Sequence, residues 1–316
     1  MKKALKVIGK IFLIILILLI VFLLAVFIFH EVMLKKEAPL LEKPLGQLVD
    51  IDGQNMCVYT EGSGDKTLVF LSGSGTAAPI LDFRMLSSKL KDDFRVVVIE
   101  KFGYGFSDIS DDERSFDTIL RQDREALEKL GIKAPFVLCP HSMSGLEAVL
   151  WAQEYPDEVE AIIGLDAAFT GVYENFDIEA SLRKEKLAAF ARELGIIRFF
   201  YTDNSLPEGL TAEEKKIYKA IAAKKAVNKN VVSEAEHIRE ACEIIDRKPK
   251  PDIPTLLFSS NGSDTGMEKE NWIGAQKDYA SGLTNAKLVE LDCPHYVHNF
   301  ETDKIYSEIK SFISQL

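Results

Sequence analysis

Pro135-Phe136-Val137-Leu138-Cys139-Pro140-His141-Ser142-Met143-Ser144-Gly145, continuing as Leu146-Glu147-Ala148-Val149-Leu150-Trp151, organises the reading of the whole chain. An apolar run of strand length enters a turn of small residues and leaves as a helix pattern, with Ser142 at the apex of the turn. A strand that turns into a helix in this way lifts the serine hydroxyl above the sheet edge and sets a helix N-terminus beneath it. The positive end of the helix dipole can then help stabilise the anion formed during acyl transfer. The pattern for such turns is G-x-S-x-G, and Pro140 and Ser144 stand at its glycine positions here. Ser144 is small, and proline is tolerated at a strand end where no donor is needed. A serine among small residues can also be a cap or turn residue. The strand before and the helix after favour the nucleophile reading.

Partners for Ser142 follow in the order nucleophile, acid, histidine. Near the C-terminus, Lys287-Leu288-Val289-Glu290-Leu291 reads as a strand, and Asp292-Cys293-Pro294-His295-Tyr296-Val297-His298 as the loop after it. His295, the first histidine past the strand, is the expected general base; His298, one turn further on, reads as a locally bonded or exposed residue. For the acid, Asp264 lies in the loop Asn261-Gly262-Ser263-Asp264, just past the strand pattern Thr255-Leu256-Leu257-Phe258-Ser259. From there a carboxylate could orient the imidazole and stabilise its protonated form. The alternative is Asp166, at the end of Ala161-Ile162-Ile163-Gly164-Leu165. Asp264 is the favoured expectation, and for either residue the plain reading is an Asx turn or a helix cap.

An oxyanion hole needs two backbone N–H groups aimed at the developing charge. One is expected from Met143. The other is expected from Ser74, in the loop Ser72-Gly73-Ser74-Gly75-Thr76 that follows the strand Thr67-Leu68-Val69-Phe70-Leu71. That loop lacks the Gly-Lys-Ser/Thr ending of a nucleotide-binding loop.

A further marker is Arg95-Val96-Val97-Val98-Ile99-Glu100 running into Lys101-Phe102-Gly103-Tyr104-Gly105-Phe106-Ser107-Asp108. With the serine turn and the late histidine, it resembles the α/β-hydrolase superfamily, whose loop here reads D-R-x-G-x-G-x-S; Glu100-Lys101 replace Asp-Arg. The resemblance runs from about residue 45 to the C-terminus and is closest to the membrane-anchored serine hydrolases of Gram-positive bacteria. It implies a serine hydrolase acting on an ester, or on a thioester or amide, through an acyl-enzyme, with no cofactor. Related dehalogenases and epoxide hydrolases would carry aspartate at position 142. Members that cleave N-terminal proline carry a Gly-Gly-Ser-Trp-Gly sequence that this chain lacks. Perhydrolysis, carbon–carbon bond hydrolysis on the same residues, and a non-catalytic binding role are the competing readings.

At the other end, residues 11–29 are 19 consecutive apolar residues without a charge or a proline. As a helix at 1.5 Å per residue they span roughly 28 Å, close to a bilayer's hydrocarbon core. Lys2, Lys3, Lys6 and Lys10 precede the run, which places the N-terminus in the cytoplasm by the positive-inside rule. The run exceeds a signal peptide's apolar core, and Phe27-Ile28-Phe29-His30 is no small-x-small cleavage site. The expectation is an uncleaved single-pass signal anchor in residues 1–36, with the catalytic domain outside the cell. A proline-containing linker, residues 37–44, follows. Six of the 38 basic and one of the 49 acidic residues lie in residues 1–36, which leaves 32 against 48 in the remainder, a net of −16. Such a domain repels nucleic acid and anionic headgroups. Four scattered cysteines and five scattered histidines form no metal-ligand or C-x-x-C spacing.

Strand patterns near 47–52, 54–60, 67–71, 95–100, 135–139, 161–166, 254–260 and 286–291 alternate, after a first hairpin, with helix patterns near 80–91, 115–131, 143–155, 267–281 and 301–314. This predicts an α/β fold: a mostly parallel sheet of about eight strands with helices on both faces. Residues 169–251, with helix patterns at 178–194 and 212–226, interrupt the alternation; the resemblance implies a helical cap over the active site. Phe169, Tyr173, Phe176, Phe199, Phe200 and Tyr201 are candidates for an apolar acyl pocket or for the cap's own packing.

Overall fold

The computed structural model describes residues 2–316. Among the described residues there are eight strands: β1 (Gln47–Ile51), β2 (Gln54–Glu61), β3 (Thr67–Leu71), β4 (Arg95–Glu100), β5 (Phe136–Ser142), β6 (Val159–Ala167), β7 (Thr255–Ser259) and β8 (Ala286–Glu290). They form one sheet in the order β1-β2-β4-β3-β5-β6-β7-β8. Strand β2 runs antiparallel to both of its neighbours, and every pair from β4 to β8 is parallel. The β1–β2 hairpin turns on Asp52-Gly53, both with positive φ (55° and 77°), as a two-residue turn that matches the strand twist requires.

The helices are α1 (Lys2–Glu37), α2 (Pro79–Asp82), α3 (Arg84–Leu90), α4 (Phe116–Lys129), α5 (Ser144–Glu154), α6 (Ile178–Glu193), α7 (Ala212–Lys225), α8 (Lys229–Glu236), α9 (Ile238–Asp246), α10 (Lys269–Ser281), α11 (Val297–Phe300) and α12 (Thr302–Ile313). All five residues of β3 and of β7 are buried, as expected of parallel strands covered on both faces. Alternate residues serve opposite layers. Leu68 and Phe70 pack with Phe83, Leu86, Ile305 and Ile309 of one layer, whereas Val69 and Leu71 share the other core with Leu120, Leu127 and residues of α5. Side-chain caps fix the starts of α4, α6, α7 and α8. Ser115 caps α4 by accepting from Thr118 N (3.3 Å), and Thr211 and Glu214 form a reciprocal capping box on α7.

Between β6 and β7 the chain passes through α6, α7, α8 and α9, of which α6, α8 and α9 contribute to the far wall of a cavity at the strand C-terminal ends. A buried charge cluster ties this insertion to the body. Lys101, 2% exposed, lies 3.5 Å from Glu147 Oε2 on α5 and 3.3 Å from Glu234 Oε1 on α8, and Tyr104 donates its hydroxyl to Glu234 Oε2 at 2.6 Å. Burial opposes the lysine's charge, but Glu234 and Glu147 outweigh it and hold its pKa above the ordinary value. Glu100, the other departure from the D-R pattern, accepts from Phe106 N at 2.7 Å.

Helix α1 stands away from the body over most of its length, with nearly all of residues 11–24 exposed. It is the one helix among the described residues long and apolar enough to cross a membrane, with a mean hydropathy of 3.8 over its most apolar 18 residues.

Candidate active site

The serine turn forms where β5 meets α5. Ser142 has φ of +56°, a left-handed conformation that costs a non-glycine residue roughly 1–3 kcal/mol and is held only by its surroundings. Those surroundings are visible. Ser142 O accepts from Ala168 N at 2.8 Å, and a Cβ on Gly145 would fall 2.2 Å from Ala168 O, so only glycine lets α5 close onto the end of β6. Ser144, at the second glycine position of the pattern, is fully buried. Its Oγ accepts from His141 N (3.0 Å) and lies within donating distance of Leu71 O (2.7 Å) and His141 O (2.8 Å). The serine thus pins the turn to β3. Pro140 pairs with Leu71 of β3, while the β5–β6 pairing skips from Leu138 to His141, so its missing N–H disrupts no β6 partner.

His295 reaches this turn from the loop after β8. Its Nε2 is 2.8 Å from Ser142 Oγ, and its Nδ1 is 2.6 Å from Asp166 Oδ2. Asp166 is fully buried at the end of β6. Its Oδ1 accepts from Ser260 N (2.8 Å), Trp272 Nε1 (2.9 Å) and Gln276 Nε2 (2.9 Å), which leaves Oδ2 to the histidine. Burial pushes the Asp166 carboxyl up, but the His295 hydrogen bond and charge, with Gln276 and the Ser260 amide, more than offset it and leave the pKa below the ordinary value.

The expectation that Asp264 orients His295 is therefore corrected: the alternative, Asp166, occupies that position. The reason lies in the backbone. Strand β7 ends at Ser259, and Gly262 and Asp264, both at positive φ, carry the next residues outward, so Asp264 is exposed at the cavity mouth. That loop supports the histidine through its main chain, with His295 N donating to Ser263 O at 3.0 Å. Strand β6, in contrast, neighbours the serine strand, with Ser142 in register with Ala167.

His298 does not reach Ser142. It is fully buried and its Nε2 lies 2.9 Å from Asp82 Oδ2. His141, also buried, packs its ring 4.6 Å from that of His295; burial first, then the neighbouring His295 and His298, lowers its pKa well below the ordinary value and keeps it neutral.

Ser74 and Met143 both line the cavity beside Ser142, and Met143 stands at the N-terminus of α5. Gly73 is required here, since a Cβ would fall 2.6 Å from Ser142 Cβ. The cavity, of about 270 Å³, continues between Tyr173, Phe176, Val231 and Ile238 of the insertion and Trp272 and Tyr296 of the body. Of the six aromatic candidates only Tyr173 and Phe176 line it. Phe169 stacks on Tyr279 (3.7 Å between rings), Tyr201 packs near Tyr218, and Phe199 and Phe200 are exposed. No group of three or more His, Cys, Asp or Glu residues among the described residues is placed to hold a metal ion.

Several site residues escaped the sequence reading. Trp272 and Gln276, which hold Asp166, sit on an ordinary amphipathic helix and carried no signal. Glu185 of α6 lines the cavity with one carboxylate oxygen buried and unpartnered. Glu147 did carry one: a carboxylate inside the otherwise apolar run of α5 demands a buried partner.

A family profile described as the alpha/beta hydrolase fold matches residues 66–302. The uncharacterized protein YbdG of Bacillus subtilis (strain 168) is 36% identical over 327 aligned residues, covering 100% of each chain. Among solved structures, an epoxide hydrolase mutant of Vigna radiata superposes with a TM-score of 0.70 at 16% identity, covering 85% of this chain and 98% of that one. A thermophilic esterase of Thermogutta terrifontis gives 0.66 at 18% identity, covering 85% and 99%. At those identities the two structures bear on the fold alone. The profile spans most of the chain and the Bacillus relative spans all of it, and on that footing the protein belongs to the alpha/beta hydrolase fold family, a family of hydrolases.

Proposed function

We propose that the protein is a serine hydrolase that cleaves an ester-type acyl bond, or a thioester or amide, through a Ser142–His295–Asp166 triad. The observation that carries this is the unbroken chain of contacts from Ser142 Oγ to His295 Nε2 and from His295 Nδ1 to Asp166 Oδ2, at the floor of the cavity. His295 accepts the serine proton as Oγ attacks the acyl carbonyl, and Asp166 stabilises the imidazolium that results. The N–H groups of Met143 and Ser74 receive the oxyanion. His295 then protonates the leaving group, and water, deprotonated by the same imidazole, releases the acid and restores Ser142. The scheme calls on no cofactor.

The nucleophile's identity separates this from the reaction named for the Vigna relative. A carboxylate that opens an epoxide forms an ester, which water can cleave. A serine would form an ether, which water does not cleave under these conditions. An acylated Ser142 is an ester and turns over, so acyl transfer is the chemistry this residue sustains.

Helix α1 is read as an uncleaved signal anchor, with the N-terminus cytoplasmic and the hydrolase outside. The 19-residue apolar run and the lysines before it support that topology.

Treatment of the full-length protein with a fluorophosphonate probe tests the catalytic reading. A single adduct by intact mass, lost in Ser142→Ala, is expected. A well-folded parent that takes no adduct from probes of several sizes would move the weight to a binding role.

A further inference from the structure

The insertion carries four large apolar side chains in the open: Leu187 (68% exposed) and Phe190 (59%) on α6, and Phe199 (60%) and Phe200 (68%) just after it. Leu187 and Phe190 are three residues apart and so share a helix face. Of the four, Phe199 adjoins α1. Gly195, Arg198 and Phe199 border an apolar groove whose other wall is Phe22, Ala25, Val26 and Phe29, the last two turns of the apolar run.

The contact is built. Gly195 adopts φ of +79°, and a Cβ there would fall 2.4 Å from His30 Cβ, so glycine is what lets the insertion approach the helix. Arg198 grips Glu37 with both terminal nitrogens (2.9 and 2.8 Å) and donates from Nε to His30 Nδ1 at 3.0 Å. His30 lies immediately beyond the apolar run and Glu37 about two helical turns further on, so the polar clamp starts at the run's end and the aromatic contact lies below it.

We propose that this end of the insertion is immersed in the outer leaflet of the membrane that α1 spans, with Leu187, Phe190, Phe199 and Phe200 in contact with lipid. The inference rests on reading α1 as a membrane anchor. If residues 11–29 occupy the hydrocarbon core, Phe22 lies about 10 Å below Phe29. Phe199, set against both, is then at lipid depth, within the range that interfacial helices reach. Lipid is thus the occupant that continuity with the span dictates. The same helix α6 contributes Ser181 and Glu185 to the cavity, so one element faces the bilayer and walls the reaction site.

The test uses the full-length protein in phosphatidylcholine vesicles whose acyl chains are brominated, a quencher of tryptophan fluorescence. The native Trp151 and Trp272 are buried and give a constant background. Phe199→Trp, Phe200→Trp and Phe190→Trp report on the insertion, Phe22→Trp on the span, and Tyr155→Trp, at the opposite end of the sheet, on the solvent-facing body. The expected result is a loss of intensity and a blue shift at 190, 199 and 200 approaching those at 22, with none at 155. Because Phe190 lies on a different element from Phe199 and Phe200, one misfolded variant does not remove the reading. Quenching at 22 with none at the three insertion positions overturns the proposal and leaves the anchor standing. No quenching at 22 overturns the anchor, and the proposal with it.

Discussion

Asp166→Asn tests the assignment of the acid, and its size follows from the hydrogen bonds around it. Three N–H groups point at Oδ1: those of Ser260, Trp272 and Gln276. An amide nitrogen cannot sit among three donors, so the asparagine must keep its oxygen there and turn Nδ2 toward His295. Facing a donor, His295 Nδ1 becomes the acceptor and the ring proton moves to Nε2, against Ser142 Oγ. An imidazole protonated at Nε2 cannot take the serine proton. A reversal of tautomer of this kind lowers kcat about 10⁴-fold, or about 5.4 kcal/mol of transition-state stabilisation. Asp264→Asn, by contrast, alters an exposed side chain at the cavity mouth and should change kcat by less than about threefold, under ~0.7 kcal/mol. The assay is hydrolysis of a p-nitrophenyl ester together with the rate of fluorophosphonate labelling, with thermal unfolding to show that both variants are folded. If Asp166→Asn works within tenfold of the parent while Asp264→Asn is inactive, the reasoning fails.

Three other outcomes are expected. Lys101→Met leaves Glu147 and Glu234 buried without their cation and should cost about 3–5 kcal/mol in denaturant unfolding; a variant as stable as the parent would show that the cluster does not hold the insertion down. Burial, with Glu234 and Glu236 nearby, pushes Glu185 up to about 7, so the cavity gains a negative charge as pH rises through that value. The kcat/KM of an ester with an anionic acyl chain, relative to a neutral one, should therefore fall across pH 6–8, and Glu185→Gln should flatten the ratio. Burial lowers Lys225 to about 8, against about 10.4 for a free lysine. Between those values the unfolded chain holds more protons, so this residue's contribution to stability rises with pH. The stability of the parent relative to Lys225→Met should thus climb by up to about 3 kcal/mol from pH 8 to 10.4, and a flat difference would contradict the shift.

The legible part of the site was the part carried by local pattern. Ser142 declared itself through a strand, a turn of small residues and a helix, and His295 through its place after the last strand. The acid was ambiguous because both Asp166 and Asp264 follow apolar strands, and sequence spacing does not say how far a loop carries a side chain outward. One sign did favour Asp166: it sits within Ile162-Ile163-Gly164-Leu165-Asp166-Ala167-Ala168, where a carboxylate has no solvent and must have buried partners. By type alone Phe199 and Phe200 could be pocket lining or the cap's own packing, and only the folded structure shows both exposed, with Phe199 beside α1.

The sequence by itself determined the eight-strand alternation, the serine turn, the late histidine and a 19-residue apolar run, because each depends on periodicity or composition within a short window. Tertiary structure alone decided which carboxylate meets the histidine, what charge the cavity bears, and where the insertion rests on the N-terminal helix. Those outcomes depend on which strands are neighbours and in what register. Asp166 and His295 are 129 residues apart in the chain and 2.6 Å apart in space, a pairing set by the packing of β6, β7 and β8 that no local window contains.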